Sequence, residues 1–132
     1  MSGFTCGVWL GHRGRGLVAV VVDEEGYAQP PVAFDRDADA AWGLLDWLDD
    51  WVGLDCDLVL PDWLARSGPL ADFALQRGTS VWLVPPAVFE TVRIVANVAT
   101  GPPARTAAAL ARLPLAPVLR SALRRLSPPP PA

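Results

Sequence analysis

The hydrophobic period of this chain first changes near residue 37, and that change constrains the fold more than any other feature. Before it, three short β-favouring runs follow one another across turns. Residues 4–10, FTCGVWL, make the first run, and His12-Arg13-Gly14-Arg15-Gly16 supplies turn chemistry behind it. Residues 17–22, LVAVVV, make the second, closed by Asp23-Glu24-Glu25-Gly26. Residues 27–34 offer a third strand, and Pro30 and Pro31 remove ladder donors, which places it at a sheet edge. The opening therefore predicts an antiparallel meander.

From Asp37 the period is helical. Ala41, Leu44, Leu45, Leu48 and Val52 fall on one face, and Asp46, Asp49 and Asp50 take the other. Asp37 or Asp39 suits the N-cap, where an acid also meets the positive end of the helix dipole. Trp42, Trp47 and Trp51 lie at or beside the apolar stripe and read as packing residues rather than as a ligand-stacking set. Residues 57–60 then read as a strand stopped by Pro61, with Asp62 capping or turning the loop behind it.

Residues 69–76 read as a helix stopped by Arg77-Gly78, and residues 81–84 as a strand ended by Pro85-Pro86. A partly helical stretch over 88–98 leads to a break at Gly101-Pro102-Pro103. An Ala-rich helix over 104–113 and an amphipathic helix over 115–126 follow, with Arg120, Arg124 and Arg125 at polar positions of the second. Residues 127–132, SPPPPA, read as an extended, mobile proline tail.

A chain of 132 residues suits one domain, here residues 1–126, with a single core. The order β-β-β-α-β-α-β, closed by right-handed crossovers, predicts an α/β fold. It is a five-stranded mixed sheet flanked by helices, with extra helices at the C-terminal end.

Charge is unevenly placed. Residues 1–72 carry 13 of the 14 acids against four arginines, residues 73–132 carry seven arginines against Glu90, and there is no lysine. The basic half can meet phosphates, or it can face the acidic half within the fold. Cys6 and Cys56 lack a C-x-x-C spacing, and with His12 they fall short of the three or four ligands zinc needs. They read as reduced thiols packed as small hydrophobes. No run reaches the roughly 20 apolar residues of a membrane span, and the first ten residues lack the order of a secretory signal. The expectation is a soluble cytoplasmic protein with no membrane partner, metal or cofactor.

The strand and helix order is that of the RNase H-like superfold, and short strings sharpen the likeness. The chain resembles the RuvC-like N-terminal domain of the DEDD transposases, which are related to Holliday-junction resolvases. Such domains open with a strand of the form G-I-D-x-G-K; here Gly7-Val8-Trp9-Leu10-Gly11-His12 stands in its place. The family's fourth strand ends V-V-E-x-T-G, followed by a P-L-A helix, a glycine and a strand ending in N-P. This chain has Leu58-Val59-Leu60-Pro61, then Pro69-Leu70-Ala71, Gly78, and residues 81–85. The family's last element resembles K-T-D-x-x-D-A-x-x-L, where residues 105–113 read RTAAALARL. The likeness covers about residues 4 to 113.

In that family, carboxylates on these strands and on the last helix hold two magnesium ions roughly 4 Å apart over the scissile phosphate. Magnesium requires hard oxygen ligands. At the four matched positions this chain has Trp9, Pro61, Ala107 and Leu110, none of which can bind such an ion through its side chain. The resemblance thus implies a cleft with an apolar floor and Trp9 projecting from the central strand. Asp62 lies one residue past the family's glutamate, and a one-residue shift on a strand reverses its face. Asp23 and Asp57 lie near strand ends. His12, between Gly11 and Arg13, reads as a turn residue rather than a general base. Gly11, Gly14 and Gly16 provide turns without a P-loop spacing.

Three functions remain. One is a non-catalytic RNase H-like module, derived from a transposase or resolvase domain, that binds nucleic acid through Arg93, Arg105, Arg112, Arg120, Arg124 and Arg125. A second is a protein-interaction or scaffold module, homodimeric in one version, using some of its six tryptophans. The third is an enzyme, a metal nuclease with relocated carboxylates.

Overall fold

In the computed structural model, which describes residues 3–11, 15–34, 40–51, 56–95 and 102–128, the two opening runs pair along their whole length. Strand β1 (Phe4–Leu10) lies antiparallel to β2 (Leu17–Asp23), with Phe4 opposite Asp23 and Leu10 opposite Leu17. Strand β3 (Val32–Phe34) follows on β2 at the sheet edge. It is shorter than residues 27–34 because Pro30 and Pro31 break the ladder, leaving Ala28 only an isolated bridge to Val22.

Helix α1 (Ala40–Trp51) carries the chain over one face to β4 (Asp57–Pro61), which is parallel to β1. Its expected caps Asp37 and Asp39, and Val52 beyond it, lie outside the described residues, as do His12, Arg13 and Gly14. Helices α2 (Asp62–Ser67) and α3 (Leu70–Gln76) lead to β5 (Val81–Val84), parallel to β4. Gly78, at φ 88°, stops α3: its N–H bonds the Leu75 carbonyl and that of Thr79 bonds Ala74.

Helices α4 (Pro86–Val95) and α5 (Pro103–Arg112) cover the opposite face. A 3₁₀ turn (Leu113–Leu115), a short helix α6 (Pro117–Arg120) and strand β6 (Arg124–Leu126) complete the chain. Residues 129–132 of the proline tail, with residues 96–101, lie outside the described residues. The fold is therefore α/β, a mixed sheet between two helical layers.

The sheet differs from expectation in one respect. It has six strands, in the order β3-β2-β1-β4-β5-β6, and the sixth comes from a segment whose pattern reads as a helix. Leu115, Val118, Leu119, Ala122, Leu123 and Leu126 do recur at helical spacing, yet the helix over 115–126 does not form. Pro114 and Pro117 stand in the first turns of the 3₁₀ element and of α6, so the segment starts afresh at Pro117 and is divided into two short pieces. The freed end then satisfies the open edge of β5, with Arg124 opposite Leu83, Arg125 opposite Trp82 and Leu126 opposite Val81.

Two smaller differences have local causes. Residues 62–67 form a helix rather than a loop: Asp62 lies in its first turn, where the dipole favours an acid, and pairs with Arg66 at 3.2 Å. Helix α4 begins at Pro86, where proline's fixed φ suits a first helical turn.

Alternation along the strands divides the core. Cys6, Val8, Val21, Leu58, Leu60 and Val81 face α1, α2 and α3, with Leu44, Leu48, Leu64 and Ala74 packed on them. Val18, Val20, Val22, Val59 and Val84 face α4 and α5. The second face is closed by an unusually near approach of helix to strand. A Cβ on Gly7 would overlap the Ala107 carbonyl oxygen and lie 2.7 Å from the Ala111 nitrogen. Beside it, the buried Thr5 hydroxyl donates to the Ala111 carbonyl at 2.7 Å. Gly7→Ala must push α5 off β1 and is expected to cost about 2–3 kcal/mol, measured as a lowered midpoint of urea denaturation with unchanged slope.

Candidate functional site

The four positions matched to the family's carboxylates sit where β1, β4 and α5 meet. Trp9, next to last in β1, packs into both apolar clusters on the α5 side of the sheet. Ala107 belongs to one cluster and Leu110 to the other, both 0% exposed. Pro61 ends β4 opposite Val84 and is buried. Two aromatics from other elements complete the arrangement. Phe89 of α4 stacks on Trp9 with centroids 5.1 Å apart, and Trp63 of α2 meets it edge-on at 5.5 Å. Aromatic side chains from β1, α2 and α4 thus occupy this junction.

Neither Trp63 nor Phe89 is distinguished in the sequence. The one hint is that Trp63 follows the proline that stops β4, where a side chain can reach across the end of the sheet.

The acids considered for a relocated site are held apart. Asp62 pairs with Arg66 at the C-terminal end of β4. Asp57 begins the same strand, whose four steps span about 13 Å; it accepts from Trp82 Nε1 at 3.1 Å and pairs with Arg125 at 3.6 Å. Asp23 is at the end of β2 and turns the chain, accepting the N–H groups of Glu25 and Tyr27 at 2.9 and 3.0 Å. Asp23 and Asp57 also point to opposite faces, since Val22 and Asp57 both stand beside Thr5 in register. Among the described residues no three His, Cys, Asp or Glu side chains gather closely enough to hold a metal ion.

The six arginines do not form one face. Arg93, Arg105, Arg112 and Arg120 lie on α4, α5 and α6. Arg125 borders a cavity of about 440 Å³ on that side with Arg120, Trp82 and Leu115. Arg124, one residue away on β6, turns to the other side and lines a small cleft with Asp62, Leu83 and Pro85. Most are engaged within the chain. Arg93 pairs with Glu90 at 2.9 Å, Arg112 donates to the Gly26 carbonyl at 2.9 Å and Arg120 to that of Pro114 at 2.6 Å. Arg125 bonds Ser80 Oγ at 3.2 Å and lies over the Trp82 ring at 5.5 Å. Arg77 likewise bridges Asp46 and Asp49 at 2.7 and 3.5 Å. Basic residues of the second half thus meet acids of the first within the fold.

The tryptophans of α1 pack in part against neighbouring aromatics. Trp47 is half-buried, tilted against Phe34 and stacked on Trp51. Trp42 stacks on Phe73 of α3 at 4.3 Å, with Arg77 over it at 6.0 Å. Trp42 and Trp51 nevertheless stay 43% and 48% exposed. An indole that pays no burial beyond one face leaves apolar area on offer to a partner.

Both cysteines are free and buried. Burial pushes the Cys6 thiol well up, with Cys56 adding to it; burial, then the Asp57 charge, pushes Cys56 up to about 12. Burial thus favours the protonated thiol at both positions. No helix of the described residues is long and apolar enough to cross a membrane.

No protein-family model matches the chain, and no curated protein matches its sequence.

The thiols set a pH dependence. Unfolded thiols ionise from about pH 8.5 upward, whereas the folded ones hold their protons. Above that value the unfolded state binds fewer protons, so stability falls as pH rises, through a window reaching about 12 for Cys56. Between about pH 8.5 and 10 the loss is about 2 kcal/mol per thiol, and it disappears in a variant with Cys6→Ala and Cys56→Ala. Urea midpoints measured across that range for both proteins check it.

Proposed function

We propose that the chain is a non-catalytic module of the RNase H-like type that acts by binding a protein partner. The observation that carries the first half is Trp9, stacked on Phe89 and Trp63 at the junction of β1, β4 and α5. This is the place where the resemblance to RuvC-like transposase domains puts the ion-binding carboxylates. A side chain of that size cannot be displaced by a hydrated ion without opening a large apolar gap. Asp23 is engaged in a turn at the end of β2, and Asp57 and Asp62, held by an indole hydrogen bond and an ion pair, stand at opposite ends of β4.

The second half rests on the surface. Exposed Trp42 and Trp51 are the residue type most enriched at interface hot spots. The arginines suited to phosphate contacts are spread over two faces and largely bonded within the chain, and the net charge is -3. Both facts favour a protein over a nucleic acid.

The expected result with magnesium or manganese is no cleavage of single-stranded or branched DNA, and no retention on heparin at physiological salt. Cleavage that is lost in Asp62→Ala would overturn the non-catalytic reading. Retention that weakens in Arg105→Ala and Arg112→Ala would replace the protein partner with a polyanion. Trp9→Asp, which returns a carboxylate to β1, is expected to lower stability by about 3 kcal/mol or more without generating activity.

A further inference from the structure

The crossovers that place α1, α2 and α3 on one side of the sheet and α4, α5 and α6 on the other also sort the charge. The first layer carries Asp46, Asp49, Asp50, Asp62 and Asp72 against Arg66 and Arg77. The second carries Arg93, Arg105, Arg112 and Arg120 against Glu90. Each layer has exposed apolar area of a different kind. On the acidic side it is aromatic, Trp42 and Trp51. On the basic side it is aliphatic: Ile94 is 74% exposed, Val118 82% and Leu119 36%. Val118 and Leu119 are part of the stripe whose helical spacing suits burial, and the break at Pro117 leaves them facing water.

We propose that copies of this chain associate head to tail, the acidic tryptophan face of one docking on the basic aliphatic face of the next. This rests on the reading of the chain as a protein-binding module and names its partner. Three observations support a second copy as the occupant. The two faces have opposite charge, so each attracts the other and repels itself. Each offers exposed apolar area that the other can cover. Arginine over indole is also a contact the chain already makes twice internally, Arg77 on Trp42 and Arg125 on Trp82. Because the faces lie on opposite sides of the sheet, the contact is heterologous and does not close on a two-fold axis. It extends with concentration instead of stopping at a dimer.

Sedimentation velocity tests it at about 10 mM and about 1 M salt, between which the Debye length falls from about 30 to about 3 Å. The expected result is a mean mass that rises with concentration at low salt and returns to the monomer at high salt. Two variants separate the faces, Asp50→Arg with Asp72→Arg on one side, and Arg105→Glu with Val118→Glu on the other. All four residues are exposed, and circular dichroism verifies that the fold is kept. Each variant alone is expected to be monomeric and an equimolar mixture to associate again, because the wild-type faces and the two reversed faces are each of opposite charge.

A wild-type chain that stays monomeric at low salt overturns the proposal. So does a two-fold dimer that the mixture fails to restore, or association indifferent to salt. None of these outcomes bears on whether the chain cleaves DNA, so the two readings fail separately.

Discussion

The outer side of this sheet depends on how closely one helix lies on one strand. α5 rests on β1 at Gly7, where even a methyl group would collide with the helix backbone. The Thr5 hydroxyl, buried beside that contact, has its partner in the Ala111 carbonyl and so fixes how far along the strand the helix can slide. Only small or purely apolar side chains fit on the underside of a helix held this near, and Thr106, Ala107, Leu110 and Ala111 are there, all buried. A carboxylate at residue 107 or 110 would face Val20, Val59 or Trp9 with no water and no counter-charge.

That seat accounts for the neighbouring side chains. With α5 flush against the sheet, the space left at the end of β1 is bounded by α4 and α2, and Trp9 fills it against Phe89 and Trp63. The same layering separates charge across the molecule. At the sheet rim, β6 brings Arg125 to Asp57 and Trp82 and Arg124 to a cleft shared with Asp62. The proposed function and the proposed self-association both draw on this geometry, the first on what fills the interior and the second on what the layers leave outside.

Much of the fold was legible in the residues because the relevant signals are local. Valine-rich runs, Gly78 after α3 and the paired prolines around β3 and after β5 act within a few residues of themselves. The pieces missed depend on distant partners. Residues 124–126 carry a helical spacing, and only the open edge of β5 makes a strand the better use of them. Residues 62–67 form a helix too short to show a period, although Asp62 and Arg66 stood four apart as a sign. At the candidate site, Trp9 could be placed in the sheet from its strand, whereas its contacts with residues 63 and 89 required knowing where α2 and α4 cross. The arginines read as one set because all of them fall in the basic second half of the chain. Neighbours on a strand face opposite ways, and Arg124 and Arg125 part for that reason.

The bond between Thr5 and Ala111 spans 106 residues, which has a bearing on synthesis. The strands made first expose Val18, Val20 and Val22 on the side that α5 later covers, and that helix is made about 80 residues after them. Until then the nascent sheet has a bare valine face and an unfinished edge at β5, the kind of surface that draws chaperones or sticks to its neighbours. The time that passes between the making of β2 and of α5 therefore sets how long this face stays open.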